Sequence, residues 1–309
     1  MRVLVVGSAN ADLVTRVERC PLPGETLLGS AFFTGPGGKG ANQAVAAARL
    51  GADTAFLGCV GDDALGTMLE TALREAGVDV ANMQRSASNA SGTAVIVVAE
   101  DGENAIVVTP GANAEVTPAL IEAQEPLFAQ ADAMITQFEI PLDSVAAALR
   151  MAQKHECIVV LDCGAAKAAV PEVLAGATIV SPNETETACL TGLNVSNLEE
   201  AQTAATVLRD MGAREVVLKL GALGAHYRGP ENSHYMPAFQ VGVVDTTAAG
   251  DAFTAALAVR WPKGNVEDAL RWANAAGALA CSREGAQPSM PSAPEVMKLI
   301  KNGVLREPV

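Results

Sequence analysis

The chain has 309 residues, of which 50% are apolar and 18% charged, and 35 acids against 21 bases give a formal net charge of −14. This is the make-up of a globular protein with ample chain for a full core. The acidic balance and the absence of any basic run argue against nucleic acid or an anionic membrane surface as partner. Cys20, Cys59, Cys157, Cys163, Cys189 and Cys281 form no CxxC pair, and His155, His226 and His234 are the only histidines. A zinc site is therefore not expected, and the thiols read as reduced core residues of a soluble, cytoplasmic protein.

Residues 2–6 predict a short apolar strand, too brief for a signal peptide or a membrane span. Behind it, residues 7–12 carry Asn10 and Asp12, an amide and a carboxylate able to grip vicinal hydroxyls, although both types are also common in turns. The dinucleotide glycine pattern is missing there, which argues against a dehydrogenase. Residues 13–34 alternate like strands around a Pro-Leu-Pro-Gly turn, with no helix between them. Next come Gly35, Gly37, Gly38 and Gly40 within six residues, with Lys39 among them and Asn42 just beyond. Such glycine density means close backbone approach or positive φ. It is not a phosphate-binding Walker loop, because Lys39 is followed by Gly40 rather than Ser or Thr. A plain turn is the alternative to Lys39 and Asn42 reaching a sugar.

Further along, residues 54–60, 133–137, 157–162, 178–181 and 215–220 predict buried strands. Residues 41–50, 64–76, 142–154 and 198–211 predict amphipathic helices. This alternation implies an α/β fold: a three-layer, mostly parallel sheet with helices on both faces and its ligand beyond the strands' carboxyl ends. Residues 95–98 and 105–108 around Asp101-Gly102 predict a hairpin. With 13–34, the segment 91–108 is expected to form a small antiparallel β lid, serving water exclusion or a dimer interface, on a single domain spanning 1–309. Glu139 ends the strand 133–137. Asn183 and Glu186 open a helix, either as a capping box or as oxygens holding waters of a hydrated Mg²⁺. Lys219 to Gly224 is a strand end with two glycines, suited to a nucleotide's adenine or ribose or to an ordinary turn.

The most informative stretch is 243–253. An apolar run (Phe239, Val241, Val243, Val244) meets the small residues Ala248, Ala249 and Gly250 and then Asp251, where a helix begins. Backbone N–H groups at such a helix start favour an anion. A carboxylate there would repel phosphate unless it serves as the base for an attacking hydroxyl; as an alternative, Asp251 caps the helix.

Taken jointly, Gly37 to Ala48, Asp245 to Phe253, the Asn-Glu-Thr-Glu run at Asn183 to Glu186, and Gly285 to Ser289 resemble the ribokinase-like carbohydrate kinase family over most of the chain. The resemblance implies transfer of a phosphoryl group from ATP to a small sugar, D-ribose first and 2-deoxyribose or a ketose next. It further implies Asp251 as base, with Ala248, Ala249 and Gly250 as the anion hole. Asn10, Ala11, Asp12, Gly38, Lys39, Gly40, Ala41, Asn42 and Glu139 would hold the sugar. Asn183, Lys219, Leu220, Gly221, Ala222, Leu223, Gly224, Gly250 and Asn274 would contact ATP, and Glu186 would organise Mg²⁺ through water. Asp245, Thr247, Ala280, Arg283, Gly285 and Ser289 would hold an activating K⁺, and the lid would be a homodimer clasp. The chain departs from the family at Asp162-Cys-Gly-Ala-Ala, where Asn-Pro-Ala-Pro is favoured, at Lys219, where Thr is frequent, and at Asn274, where His can occur. The first departure is expected to lie off the sugar contacts, the others on the nucleotide side. A non-catalytic sugar-binding regulator on the same fold is the rival of another class. A nucleoside kinase is disfavoured because no aromatic pair stands ready to stack a base.

Overall fold

A computed structural model describes residues 1–164 and 170–307, so the last two residues of the Asp162-Cys-Gly-Ala-Ala departure lie outside the described residues. Eight strands form the main sheet, in the order Ser233–Met236, Ala225–Arg228, Glu215–Lys219, Ile179–Ser181, Ile158–Asp162, Ala133–Gln137, Arg2–Val6, Asp53–Leu57. Six of them run parallel, and the first two form an antiparallel hairpin at one edge. The parallel strands are nearly unbroken apolar runs because helices cover both faces.

On one face pack the helices Lys39–Arg49, Ala249–Arg260 and Val266–Cys281. On the other lie Leu142–Lys154 and Leu198–Asp210. The first face is built largely from alanine: Ala41, Ala44, Ala252, Ala255, Ala256, Ala273 and Ala276 are all fully buried. Small side chains let three helices crowd together, and this is why so few aromatics suffice. The crowding sets Lys39–Arg49 against Ala249–Arg260, side by side at the carboxyl end of the sheet.

A second, four-stranded sheet has the order Ala31–Gly37, Asn10–Val17, Gly92–Ala99, Asn104–Thr109. Its outer pairs are antiparallel, as expected of two locally formed β-ribbons. Its central pair, Asn10–Val17 with Gly92–Ala99, is parallel, because two ribbons from distant parts of the chain meet edge to edge. The expected strand 54–60 is broken at Gly58. Beyond it the chain leaves the main sheet, and Cys59–Gly61 pairs with Gln84–Ser86 instead. A Cβ at Gly58 would sit 2.6 Å from the Gly7 carbonyl oxygen, so the break needs glycine. The apolar run at 239–244 forms no strand. Phe239 is buried and bridges Leu305, whereas Val243 and Val244 are exposed. Among the described residues no helix is long and apolar enough to cross a membrane.

Candidate active site

Asp251 sits in the first turn of Ala249–Arg260 and is buried. It does not cap its own helix, which has no side-chain cap hydrogen bond. Instead its two oxygens accept from the side-chain amides of Asn42 (3.0 Å) and Gln43 (2.9 Å) on the neighbouring helix. Gln43 is in turn fixed by Gln137 Nε2, which donates to its Oε1 at 2.6 Å. Burial pushes the Asp251 carboxyl up to about 6; Lys39 opposes this and Asp162 adds to it. The residue before the helix, Ala248, has φ 58°, a left-handed conformation that costs an alanine on the order of 1–2 kcal/mol. The strain turns the chain sharply into the helix at the small residues Ala249 and Gly250.

The glycine-rich turn is shaped by close approach. Gly38 has φ 87°, and a Cβ there would lie 2.6 Å from the Asn10 amide nitrogen. Gly40 is packed as closely on Ser8, and Ala41 N–H donates to the Ser8 carbonyl at 2.9 Å. Ser8 Oγ donates to Glu139 Oε2 at 2.6 Å, and the Lys39 amide donates to the same oxygen at 3.3 Å. Asn10 Oδ1 accepts from Asn113 Nδ2 at 2.7 Å. Asp12 lies over Gly37, and burial, then Glu139 and Asp251, push its carboxyl up to about 7. Asn10, Asp12, Lys39, Asn42, Glu139 and Asp251 thus converge on one acidic corner, Asn10, Asn42 and Asp251 buried and the other three half-buried, while Ala11 and Ala41 are fully buried.

At the adjoining side lies a cleft of about 260 Å³ whose walls include Lys219, Gly221, Ala222, Gly224, Gly250 and Asn274. Leu220 and Leu223 belong to the apolar core below it. The Asn274 amide donates to the carbonyls of Met236 (2.9 Å) and Pro237 (3.2 Å), tying its helix to the cleft wall. Asn183 and Glu186 make the full capping box: Asn183 Oδ1 accepts from the Glu186 amide and Glu186 Oε2 from the Asn183 amide, both at 2.8 Å.

Between corner and cleft stands Asp162, fully buried at a strand end. Lys219 Nζ donates to its Oδ2 at 2.8 Å and Lys39 Nζ to its Oδ1 at 3.3 Å. Burial alone would raise the Asp162 carboxyl, but Lys219 and Lys39 outweigh it and hold the group below the usual carboxylate range. Asp162, the first residue of that departure, is therefore in direct contact with Lys39, a residue expected to hold the sugar. Ser8, Gln43, Asn113 and Gln137 were not anticipated. Gln43, next to Asn42 in the first turns of a helix, carried the one local hint.

The loop 244–247 also meets the segment 280–289, which begins in the last turn of Val266–Cys281. Asp245 accepts from the amides of Thr247 and Gly285, each at 2.9 Å, and the Val244 amide donates to the Cys281 carbonyl at 2.8 Å. The Ala280 carbonyl accepts from the Arg283 amide at 3.2 Å, while the Arg283 guanidinium pairs with Glu295. Ser289 is buried and donates through its hydroxyl to Ala286 at 2.7 Å.

A family model described as pfkB family carbohydrate kinase matches residues 1–293. The chain belongs to the pfkB family of carbohydrate kinases. Within that family it is 38% identical to a ribokinase of Haemophilus influenzae, over 96% of this chain and 98% of the relative. To a deoxyribokinase of Salmonella typhi it is 34% identical, over 94% and 96% of the two chains. Among solved structures, that of Arabidopsis thaliana ribokinase complexed with ribose and ATP superposes with a TM-score of 0.90 at 36% identity, covering 97% of this chain and 98% of that one. This pfkB kinase thus has the fold and the carbohydrate-kinase class that its sequence implies.

Proposed function

We propose that this carbohydrate kinase transfers the γ-phosphoryl group of ATP to the terminal hydroxyl of D-ribose, giving ribose 5-phosphate and ADP. The observation that carries the mechanism is the placement of Asp251: a buried carboxylate in the first turn of a helix, beside the polar corner and next to a cleft. In the reaction the sugar oxygen forms a bond to the γ phosphorus, the bond to the bridging oxygen breaks, and ADP leaves with that electron pair. The hydroxyl proton passes to Asp251. Ala248, Ala249 and Gly250 supply backbone donors for the transferring group, while Asn10, Asp12, Gly38, Lys39, Asn42 and Glu139 orient the sugar. ATP occupies the cleft at Lys219, Gly221, Ala222, Gly224 and Asn274, with Asn183 beside it. Support for ribose comes from the ribokinase relatives, and the deoxyribokinase at similar identity makes 2-deoxyribose the nearest rival.

Mg²⁺ would be organised from Glu186 through water. The fit is a partial one, since among the described residues no group of three acidic, histidine or cysteine side chains stands ready to hold a metal. Such a donor set suits Mg²⁺, which keeps waters and phosphate oxygens. Bound there, the ion would offset charge on the nucleotide phosphates. The paired loops at Asp245, Thr247, Ala280, Arg283, Gly285 and Ser289 offer carboxylate, hydroxyl and carbonyl oxygens, a chemistry that fits K⁺. We place the protein as a homodimer joined through its four-stranded sheet, working in the cytoplasm.

The test is ADP release from Mg-ATP with D-ribose, 2-deoxyribose, fructose and adenosine, each with and without K⁺. Ribose preferred by at least tenfold in kcat/KM, with K⁺ raising the rate, is the expected result. A site that hydrogen-bonds a hydroxyl rejects the analogue lacking it by orders of magnitude. Comparable turnover of 2-deoxyribose would overturn the ribose assignment.

A further inference from the structure

Lys219 carries an ammonium into the gap between the polar corner and the cleft. Besides its bond to Asp162, Nζ lies 3.8 Å from Glu186 Oε2 and 3.7 Å from the point that a Cβ on Gly250 would occupy. The side chain is nearly buried; its strand pairs with Ala225 on one side and bridges Asn183 on the other, and the helix start at Gly250 stands beside its ammonium. An ammonium has three donors, and the one hydrogen bond Lys219 makes through Nζ among the described residues is to Asp162.

Asp162, by contrast, is saturated. Beyond the two lysines it accepts from the Gly164 amide at 2.9 Å and from Thr254 Oγ1 at 2.8 Å. Thr254 stands on the same helix as Asp251, one turn on. A buried ion pair is a poor investment for stability alone, because desolvating both charges offsets most of their attraction. Here one member has every acceptor position used, while the other, among the described residues, makes no second hydrogen bond through Nζ at the edge of the proposed anion cradle. That asymmetry is what a fixed cation needs: an anchor behind it and unused donors in front.

We propose that Lys219 binds the transferring phosphoryl group from the cleft side, and that Asp162 is the positioning residue that holds Lys219 and Lys39 on either side of that group. The proposal rests on the kinase reading of the same site and extends it. As the bond to ADP's bridging oxygen breaks, Lys219 donates to a non-bridging phosphoryl oxygen and stabilises the charge there. Asp251 meanwhile takes the proton on the sugar side. The pair is thus a specificity device for phosphate rather than for adenine or ribose.

Single loss of Lys219 leaves the buried Asp162 carboxylate with Lys39 as its one cationic partner among the described residues, so the decisive variant is the neutral double Asp162→Asn/Lys219→Met. It should melt within a few degrees of the parent protein, since neutral replacement of a buried pair is often tolerated. Its kcat with ribose should nonetheless fall about 10²-fold, the cost of one transition-state donor, while KM for ribose rises less because Lys39 also loses its hold on Asp162. Lys219→Arg, which keeps charge and fold, should retain kcat within about tenfold of the parent value. By calorimetry, a non-hydrolysable ATP analogue should lose about tenfold in affinity for the double variant, while ADP should not.

A double variant with restored melting and full kcat would make the pair structural and overturn the proposal. A loss confined to KM for ribose, with kcat intact, would do the same, since only the hold on Lys39 would then matter. The calorimetric arm needs no turnover. A parent protein that phosphorylates no sugar would therefore sink the function reading alone, whereas equal analogue affinity in parent and double variant would sink this one.

Discussion

A carboxylate taken wholly out of water stays charged only as far as its neighbours allow. Asp251 has two amide donors and a distant Lys39 against complete burial, and its carboxyl is pushed up to about 6. A general base must be unprotonated, so kcat/KM should rise with pH through about 6 and level off above it. Asp12, pushed up to about 7, interacts with the same charge, so the limb belongs to the coupled group rather than to one residue. Asp251→Asn should abolish the limb and lower kcat by about 10²- to 10⁴-fold, with ribose affinity retained. Stability should move the other way. A carboxyl raised on folding from 3.8 to about 6 contributes stability that is full below the lower value and is lost as pH rises through about 6. The Asn variant should therefore melt higher than the parent at pH 8, and the difference should shrink as pH falls below 6. Asn42 Oδ1, buried and without a partner, can turn to accept from the new amide. A rate independent of pH between 5 and 8, or an unaffected rate in the variant, would remove Asp251 from the chemistry. Legibility at this scale followed backbone proximity. Asp251 and Lys39 stood out because each lies in a short run of small residues. Asp162 did not, since its partners are 57 and 123 residues away and nothing local marks a strand-end acid as paired.

At the scale of elements, the helix Lys39–Arg49 carries half the site, and Gly38 fixes where it begins. An alanine at 38 would need a positive φ and would collide with backbone at Asn10, which no side-chain rotation can relieve. Gly38→Ala should therefore push the helix start off the strand Asn10–Val17. We expect KM for ribose raised at least tenfold and a melting temperature lower by several degrees, about 1–3 kcal/mol at such a position. Gly35→Ala is the control: nothing lies within 4 Å of a Cβ there, so both quantities should stay near the parent's. Equal behaviour of the two variants would mean that the glycine run is only a flexible turn. The elements most legible in the sequence were the parallel strands. Residues 2–6 and 133–137 match the structure end to end, because a strand covered on both faces must be a continuous apolar run. The hairpin Ala225–Arg228 with Ser233–Met236 went unread, since an edge ribbon with His226, Arg228, Ser233 and His234 has no such run. The parallel join at the centre of the small sheet was also hidden, because pairing between distant ribbons leaves no local pattern.

For the whole molecule, the two cores share one central sheet, so we expect a single cooperative melting transition for the chain rather than two. What that core leaves outside is a small sheet apolar on both sides, with Phe32, Val95 and Val107 on one face and Phe33, Ile106 and Val108 on the other. Every residue of Asn104–Thr109 is exposed, and Phe32, Phe33, Val95, Ile106, Val107 and Val108 all present side chains to solvent. Fully burying side chains of this kind is worth about 1.5–3 kcal/mol each, and a long uncovered edge strand invites uncontrolled pairing. A second copy of the chain using the same sheet would cover the apolar side chains of both copies at once. Sedimentation at micromolar concentration should accordingly give twice the 31.6 kDa chain mass. The pair Phe32→Asp/Ile106→Asp should give one chain mass, and a parent protein that runs as a monomer would overturn the clasp. Ionic strength supplies an independent sign. Each copy carries −14, so association brings like charges together, and salt screens that repulsion within about 8 Å at physiological strength. An apolar clasp between two acidic chains should tighten as salt rises, whereas dissociation by salt would mean that opposite charges hold the contact.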